Sequence, residues 1–311
     1  MRRLVLHRLV QALPVLFGIT LVTFAMVHLV PGDPARALAG QRATPQILAS
    51  IRHQLGIDRP LLQQYWHFVV DIGHGQLGYS FLLHQPTDTL LAARLPTTLF
   101  LVGYGVMIAV VLGVPLAMIS ATHKEGWLDH SIKGSLVVGL GLPSFWIGLL
   151  LIAFLALRLK WFPVGGAGSG FPDELWHLFL PALTLALSFL AVLVRSLRAS
   201  LIDVLDADYV SLAVLKGITR RRVYVRHVLR NALIPAVTIV GLNLSYLLGA
   251  SVVVESVFSV DGIGNTLVNA VLSRDYQLVQ GIALVFGVLV LMITLAVDIT
   301  QAALSPRNEL A

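Results

Sequence analysis

The sequence predicts an all-α polytopic membrane protein with six transmembrane helices and both termini in the cytoplasm. Of its 311 residues, 57% are hydrophobic and only 12% are charged, whereas roughly 25% of residues are charged in soluble domains. Six windows contain no Asp, Glu, Lys or Arg, and each is long enough to cross a bilayer: 9–32, 95–123, 134–157, 175–194, 231–254 and 276–297. A large soluble protein with buried helices would rarely contain six such windows, so we favour the membrane class.

The positions of Lys and Arg predict the orientation of the chain. With the N-terminus inside, the inner segments hold 14 of the 22 Lys and Arg residues, and eight of these lie in the loop 195–230. The two short outer loops carry three, and five lie in the long outer segment 31–95, where the rule is weak. Both termini are therefore predicted to be cytoplasmic. The net charge of +6 belongs to membrane loops, which indicates topology rather than nucleic-acid binding.

The predicted spans and loops divide the chain into four regions. Residues 1–30 form the N-terminal tail and the first transmembrane helix, which is too long for a cleavable signal. Residues 31–94 form an extracytoplasmic helical cap with two amphipathic helices. Residues 95–302 form a five-helix core that contains the cytoplasmic loop 195–231, and residues 303–311 form a cytoplasmic tail.

Polar residues and proline in two spans are candidates for lining a pathway. Pro143 lies in the middle of the third span, where it frees a backbone carbonyl and kinks the helix, and Ser144 follows it. That kink either lines a path or only packs against a neighbour. The fifth span is the least apolar, and polar groups in a span usually face the protein interior or a water-filled cavity. Its candidate path residues are Asn243, Ser245, Tyr246 and Ser251.

Motifs for catalysis, metal binding and ATP binding are missing from the sequence. None of the four lysines follows a glycine, so a phosphate-binding Gly-Lys pair cannot form. The chain has no G-x-S-x-G elbow, no H-E-x-x-H helix and no cysteine, and its ten histidines are scattered. The centres of the spans carry no ionisable residue, whereas gradient-driven carriers usually keep such groups near the midplane. Energy for transport would therefore come from another subunit.

The loop between Arg195 and Pro235 is polar and rich in arginine, although long apolar runs precede and follow it. We predict two short helices here, one from about Leu201 to Lys216 and one after Thr219. Gly217 would separate them, because glycine often follows a helix end and threonine is a common N-cap. An apolar face that includes Val210 would fit a groove on a partner protein.

Short motifs along nearly the whole chain carry a family resemblance. They are Pro31-Gly-Asp-Pro34, Leu55-Gly-Ile-Asp58, Gly75 with Gly78-Tyr-Ser80, Leu142-Pro-Ser-Phe-Trp146, Leu180-Pro-Ala-Leu183, Val254-Glu-Ser-Val-Phe258, Gly262-Ile-Gly264 and Arg274-Asp-Tyr276. The cytoplasmic loop adds Asp208-Tyr-Val210, Ala213, Lys216-Gly217, His227 and Arg230-Asn-Ala-Leu-Ile-Pro235. With these motifs the chain resembles the membrane permease subunits of bacterial ATP-binding-cassette (ABC) importers for dipeptides, oligopeptides and nickel, and specifically the first permease of the pair.

The resemblance implies a type I ABC importer permease fold in the bacterial inner membrane. It implies a coupling helix that docks on an ATPase subunit and includes Asp208, Tyr209, Val210, Ala213, Lys216 and Gly217. The implied partners are a second permease, two cytoplasmic ATPase subunits and an extracytoplasmic binding protein. ATP and Mg²⁺ would bind to the ATPases, so we expect no catalytic residue, cofactor or metal site in this chain. The expected cargo is short peptides, with nickel, a metallophore or glutathione as alternatives.

The sequence departs from the family pattern at three places. Ser211-Leu212 and Val214-Leu215 stand where the family is basic and rich in alanine, which puts partner pairing in doubt. Gln76 replaces the usual Asp, and Val260-Asp261 replaces a common Trp-Pro, which puts outer-surface contacts in doubt. A gradient-driven carrier and a membrane scaffold stay open as other functions, and the coupling-type loop argues against both.

Overall fold

A computed structural model describes residues 2–29, 35, 39, 44–54, 56–80, 83–216, 218–219 and 222–304. The α-helices in these ranges are α1 Arg2–Leu29, α2 Pro45–Gln54, α3 Leu61–Gly73, α4 Thr87–Thr122, α5 Trp127–Gly141, α6 Ser144–Leu151, α7 Asp173–His177, α8 Phe179–Leu205, α9 Asp208–Leu215, α10 Arg230–Val257, α11 Ile263–Leu272 and α12 Tyr276–Leu304. Two π-helical segments, Ile152–Arg158 and Val223–Leu229, continue α6 and lead into α10. The strands β1 Tyr79–Ser80 and β2 Gln85–Pro86 form one antiparallel pair.

Five of these helices are long and apolar enough to cross a membrane. Their apolar stretches are Leu6–Ala25, Thr87–Thr122, Phe179–Leu205, Val237–Val257 and Tyr276–Gln301. A sixth span arises if Trp127–Gly139 and Ser144–Arg158, which are bent by 102° at the break between them, count as one. The break falls at Pro143, as expected for a proline in a span. The prediction of an all-α polytopic protein is confirmed, with the two short strands as a local addition.

Two predicted helix boundaries were wrong. The fourth span continues to Leu205, and the expected single helix from Leu201 to Lys216 is divided between the end of α8 and α9. The segment 255–275, for which the sequence predicts a re-entrant or outer loop, contains the helix α11. The predicted boundary between cap and core at residue 94 falls within α4, one residue before the point where the chain divides by its internal contacts, and the division into regions stays a prediction. The predicted tail begins inside α12, and residues 305–311 lie outside the described residues.

The chain divides into two compact units by its internal contacts. The described part of the first unit, called the core unit here, comprises Pro96–Asn265 and the end of α12 from Met292. Its central element is α8. In the apolar stretch of α8, 67% of the residues are buried, whereas 28% are buried in that of α4. Glycine allows α4 to approach α8 closely, because a Cβ at Gly113 would lie 2.9 Å from Cδ2 of Leu193. The core unit is therefore organised around α8.

The second unit, called the outer unit here, comprises Arg2–Leu95 and Thr266–Leu291. In it α1 packs on α3 through the hydroxyls of Thr20 and Tyr65, which lie 2.9 Å apart. The hairpin contacts the segment before α12, since the Ser80 hydroxyl donates to Asp275 Oδ2 at 2.6 Å. The backbone N–H of Tyr79 donates to Gln277 Oε1 at 3.1 Å. These contacts join α1 to α3, and the hairpin to the residues around the start of α12.

Many large apolar side chains remain exposed along the candidate spans. Leu13 in α1, Val111 in α4, Val137 in α5 and Met292 in α12 are between 59% and 67% exposed. A soluble protein seldom exposes so much apolar surface. Such faces are suited to lipid or to other membrane subunits.

Candidate coupling site

The sequence from Leu205 to Lys216 produces a short helix that is set off from the end of α8. The backbone N–H of Asp206 still bonds to Ile202 O at 3.0 Å, and that of Ala207 to Val204 O at 3.2 Å, which closes α8. A new turn then begins as Val210 N–H donates to Ala207 O at 3.0 Å. Asp208 lies in the first turn of α9, where a carboxylate is favoured by the partial positive charge of a helix N-terminus.

One face of α9 packs on the core unit. Val210 is only 5% exposed and belongs to an apolar cluster of buried residues. Its other members are Ala117 and Ala121 of α4, Leu190, Val194, Leu197 and Leu201 of α8, Val223 and Val228 of the second π-helical segment, and Ala232 of α10. Val210 therefore attaches α9 to three longer elements. It was predicted as part of a surface for the partner, but the structure places it inside this chain.

The opposite side of α9 presents apolar side chains to the outside. Leu212 is 55% exposed and Leu215 is 83% exposed, while Tyr209 is 44% exposed. Leu212 and Leu215 were noted in the sequence only as departures from the family pattern. They are the side chains that a groove on another protein could cover.

The other predicted coupling residues lie around this surface. Asp208 and Lys216 are exposed, at the start of α9 and directly after its end. Ala213 lies within α9. Gly217 lies outside the described residues. Asp208, Tyr209 and Val210 lie on one short helix and Lys216 directly follows it. This agrees with the predicted segment, and its role stays a prediction.

A buried carboxylate joins the elements that carry α9. Asp129 of α5 is fully buried. Its Oδ1 accepts from Arg198 Nε at 2.8 Å and its Oδ2 from Arg198 Nη2 at 2.7 Å, which makes a bidentate pair with α8. Lys133 Nζ lies 2.9 Å from Oδ2. The Ser120 hydroxyl of α4 also donates to Oδ1 and accepts from Arg198 Nε at 3.0 Å.

This Asp129 cluster (Ser120, Asp129, Lys133 and Arg198) links α4, α5 and α8 at one point. The turn between α4 and α5 takes part too, because Glu125 N–H donates to Asp129 Oδ2 at 3.1 Å. A buried carboxylate is expensive unless it is paired and hydrogen-bonded, and this one has both kinds of partner. Arg198 lies between Leu197 and Leu201 of the apolar cluster along α8. The two clusters are thus adjacent on the helix that precedes α9.

Sequence reasoning missed the Asp129 cluster. In the sequence, Asp129 lies in a short segment of mixed charge, 122–133, and Arg198 is one of eight basic residues in the loop 195–230. The i, i+4 spacing of Asp129 and Lys133 was the available local signal. The partner Arg198 is 69 residues further along the chain, so no local pattern could identify it.

A second buried carboxylate lies near the other end of α10. Glu255 is fully buried and accepts from the Thr98 hydroxyl at 2.8 Å and from Asn265 N–H at 3.0 Å. Thr98 Oγ1 in turn accepts from Ile263 N–H at 2.9 Å. The carboxylate therefore lies at the N-terminus of α11, where negative charge is favoured. A Cβ at Gly262 would lie 2.5 Å from Thr98 Oγ1 and closer still to Glu255, so only glycine fits there.

The predicted path residues have different environments. Pro143 and Tyr246 are exposed, and Ser144, Asn243 and Ser245 are half-buried. The Asn243 amide donates to Ile239 O at 2.8 Å, within its own helix. Ser251 is fully buried and its hydroxyl donates to Leu248 O at 2.8 Å. A role of these residues in the pathway stays a prediction.

Comparisons with known proteins decide the family. The description "Binding-protein-dependent transport system inner membrane component" matches residues 113–309, and the N-terminal part of the same kind of component matches residues 1–102. The chain belongs to this family. The permease is 39% identical over 302 residues to the glutathione transport system permease protein GsiC of Escherichia coli strain K12, covering 97% of each chain. The protein of the same name from Shigella dysenteriae gives the same values.

Solved structures show the fold of the permease. An inward-facing MetNI methionine ABC transporter matches with a TM-score of 0.59 and 17% identity, over 68% of this chain and 95% of that chain. An amino acid ABC transporter with histidines matches with a TM-score of 0.54 and 18% identity, over 69% and 94%. The permease thus has the type I ABC importer permease fold.

Family membership also assigns the general role. The permease is a multi-pass inner-membrane subunit of an ABC importer. It acts with a second permease, ATPase subunits and a binding protein. ATP hydrolysis resides in those separate ATPase subunits, so the permease is a transport subunit rather than an enzyme.

Proposed function

We propose that the permease imports short peptides that an extracytoplasmic binding protein delivers. The observation that carries this proposal is the 39% identity, over 97% of both chains, to permeases named for glutathione transport. Glutathione is itself a tripeptide, so a pathway that admits it must accept peptide bonds, an ammonium group and free carboxylates. The sequence motifs shared with dipeptide and oligopeptide permeases support the same substrate class.

We propose that α9 transmits the motion of an ATPase subunit. Exposed Leu212 and Leu215 would fill a groove on the ATPase, which binds ATP and Mg²⁺. Val210 would pass a displacement of α9 to α8 through the apolar cluster. The Asp129 cluster would then move α4 and α5 together with α8. Rocking of this body against the second permease would alternate access to a path between them.

Other predicted parts of the mechanism belong to the same proposal. Both termini lie in the cytoplasm, and the segment 31–94 and the loop 255–275 meet the binding protein. The path passes Pro143 and Ser144 and the polar residues of α10, of which Tyr246 is 62% exposed. Gly217 takes part in coupling with its neighbours in the loop.

Glutathione is the second candidate substrate, because those relatives are named for glutathione transport. The two proposals differ in the range of substrates that the permease accepts, because a glutathione permease need not accept ordinary dipeptides. Uptake measurements on one preparation can separate them.

The test is uptake into proteoliposomes that hold the co-expressed complex and its loaded binding protein. Labelled alanyl-alanine, labelled glutathione and labelled Ni²⁺ are offered separately, with and without internal ATP. ATP-dependent uptake of the dipeptide, lost in Gly217→Asp, is the expected result. Uptake of glutathione alone would limit the substrate to glutathione, and uptake of Ni²⁺ alone would overturn the peptide proposal. Uptake by the permease without ATPases, on an ion gradient, would overturn the coupling proposal.

A further inference from the structure

The outer unit contains a cavity of about 330 Å³. Its wall comes from the end of α1, from residues between 53 and 59, from α3, from residues 76–78 and from the start of α12. A volume of this size falls in the range of roughly 300–1,000 Å³ that small-molecule sites occupy. The lining combines the aromatic rings of Phe24 and Phe68 with charged and amide side chains, which is the composition of a site for a small polar molecule.

A buried amide in the wall of the cavity has an unused donor. Gln280 is only 8% exposed, and its Nε2 finds no hydrogen-bond acceptor within the part of the chain that the structure describes. The neighbouring amides are used differently. Gln277 Oε1 accepts from Tyr79 N–H, and Gln64 Nε2 donates to Arg59 O at 2.7 Å. A buried amide without a partner costs free energy, so a ligand oxygen at Gln280 would recover part of it.

Charges of both signs line the same cavity. Arg59 and Asp71 both contribute to its wall, and among the described residues neither side chain forms a salt bridge. Asp58 is next to Arg59 in sequence, but its carboxylate instead bonds to His53 Nδ1 at 2.8 Å. That hydrogen bond, with a smaller effect of the Arg59 charge, lowers the pKa of Asp58. Arg59 and Asp71 are therefore available to a ligand.

We propose that this cavity binds a short zwitterionic peptide, with its carboxylate at Arg59, its ammonium group at Asp71 and a peptide oxygen at the amide of Gln280. The proposal rests on short peptides being the cargo, and it adds a peptide site on the permease itself. A guanidinium binds a carboxylate in a bidentate manner, and a carboxylate binds an ammonium group by a charge-assisted hydrogen bond. The site would hold a peptide in the outer unit after the binding protein releases it.

Direct binding tests this site without transport. The purified complex in nanodiscs, without binding protein or nucleotide, is titrated with tritiated alanyl-alanine. The variants are Arg59→Gln, Asp71→Asn and Gln280→Leu. We expect Kd to rise roughly tenfold for each charge variant and roughly three- to tenfold for Gln280→Leu, since charge-assisted bonds are about twice as strong as neutral ones. Matched controls are Gln63→Leu and Arg52→Gln, two exposed residues that do not line the cavity; their Kd should not change.

Blocked peptides assign each end of the ligand. The affinity of the N-acetylated dipeptide should not change in Asp71→Asn, and the affinity of the C-amidated dipeptide should not change in Arg59→Gln. Equal losses for both peptides in both variants would overturn the assignment. Each variant is first checked for a monodisperse elution profile, and Gln280→Leu, which replaces an amide whose Nε2 has no acceptor among the described residues, keeps the test valid if a charge variant fails to assemble.

Parallel uptake assays separate this inference from the proposed function. Wild-type dipeptide uptake together with a Kd that none of the three variants changes would overturn the cavity site and leave the proposed function intact. Absence of any dipeptide uptake, with glutathione or Ni²⁺ transported instead, would overturn the proposed function, and this inference with it.

Discussion

Replacing Arg198 with alanine should lower the stability of the core unit. The loss should be larger than for the same replacement at any other basic residue of the cytoplasmic loop. The substitution removes both bonds to a carboxylate that is fully buried. Removing one partner of a buried ion pair costs about 3–5 kcal/mol. Lys133 remains at 2.9 Å, and Arg198 itself is 19% exposed, so we expect a smaller loss than this range, about 2–3 kcal/mol.

This loss should be visible in the thermal unfolding of the detergent-solubilised complex. A loss of about 2–3 kcal/mol corresponds to a fall in Tm of roughly 3–5 °C for a chain of this size, because the entropy of unfolding is about 2.1 cal/mol/K per residue. Arg195→Ala is the matched control, because Arg195 is exposed on the same helix one turn earlier; its Tm should stay within about 1 °C. Arg198→Lys keeps the charge but loses the bidentate geometry, so its Tm should lie between those of wild type and Arg198→Ala.

The pairing itself can be isolated by a double-mutant cycle. Asp129→Asn removes the buried charge that Arg198 neutralises, so the double variant Asp129→Asn with Arg198→Ala should lose less stability than the sum of the two single variants. A coupling energy of at least about 1 kcal/mol is expected for contacting charged residues. Equal Tm values for Arg198→Ala and Arg195→Ala, or a strictly additive cycle, would refute the argument that Asp129 depends on Arg198.

Two further predictions concern α9 and the residues around the buried carboxylate of Glu255. Leu212→Asp should abolish ATP-dependent uptake and co-purification of the ATPase without lowering Tm, because Leu212 is 55% exposed. Val210→Asp should lower Tm strongly, since it places a carboxylate in the apolar cluster; the same result for both variants would contradict the assignment of the two faces. Gly262→Ala should cost about 1–3 kcal/mol through overlap with Glu255, measured by thermal unfolding. Gly249→Ala, which meets no atom within 4 Å, should be neutral.

The membrane spans could be predicted from the sequence because the bilayer imposes a local requirement. A segment that crosses hydrocarbon must be apolar over about 20 residues, and each such run is visible in the chain itself. The kink at Pro143 was visible for the same reason, since the missing N–H is a property of that residue. The ends of the helices were harder to predict from the sequence. Nothing in Asp206-Ala207 forbids a helix, and no glycine or proline separates α9 from α8.

The orientation of α9 could not be predicted because its outer and inner faces are both apolar. Val210 and Leu212 have similar character, and only the position of α8 decides that Val210 is buried and Leu212 exposed. The partners of Asp129 and Glu255 could not be predicted from the sequence for a different reason. Arg198 is 69 residues from Asp129, and Thr98 is 157 residues from Glu255. Pairings over such separations depend on the fold. The sequence therefore shows the motifs around Glu255 and Gly262 but not which residues they contact.

The two kinds of contact near α9 differ in how they would respond to a force. Apolar contacts such as those of Val210 have no preferred direction, so α9 could tilt slightly on α8, but close packing in the apolar cluster limits this movement and passes the rest of a displacement to α8. The bidentate bonds of Asp129 require fixed geometry and lose most of their energy when a donor moves by about 1 Å. A push on α9 would therefore change the packing of Val210 first, while α4, α5 and α8 stay joined at Asp129. Motion would then pass to the membrane helices as displacement of one body rather than of separate helices.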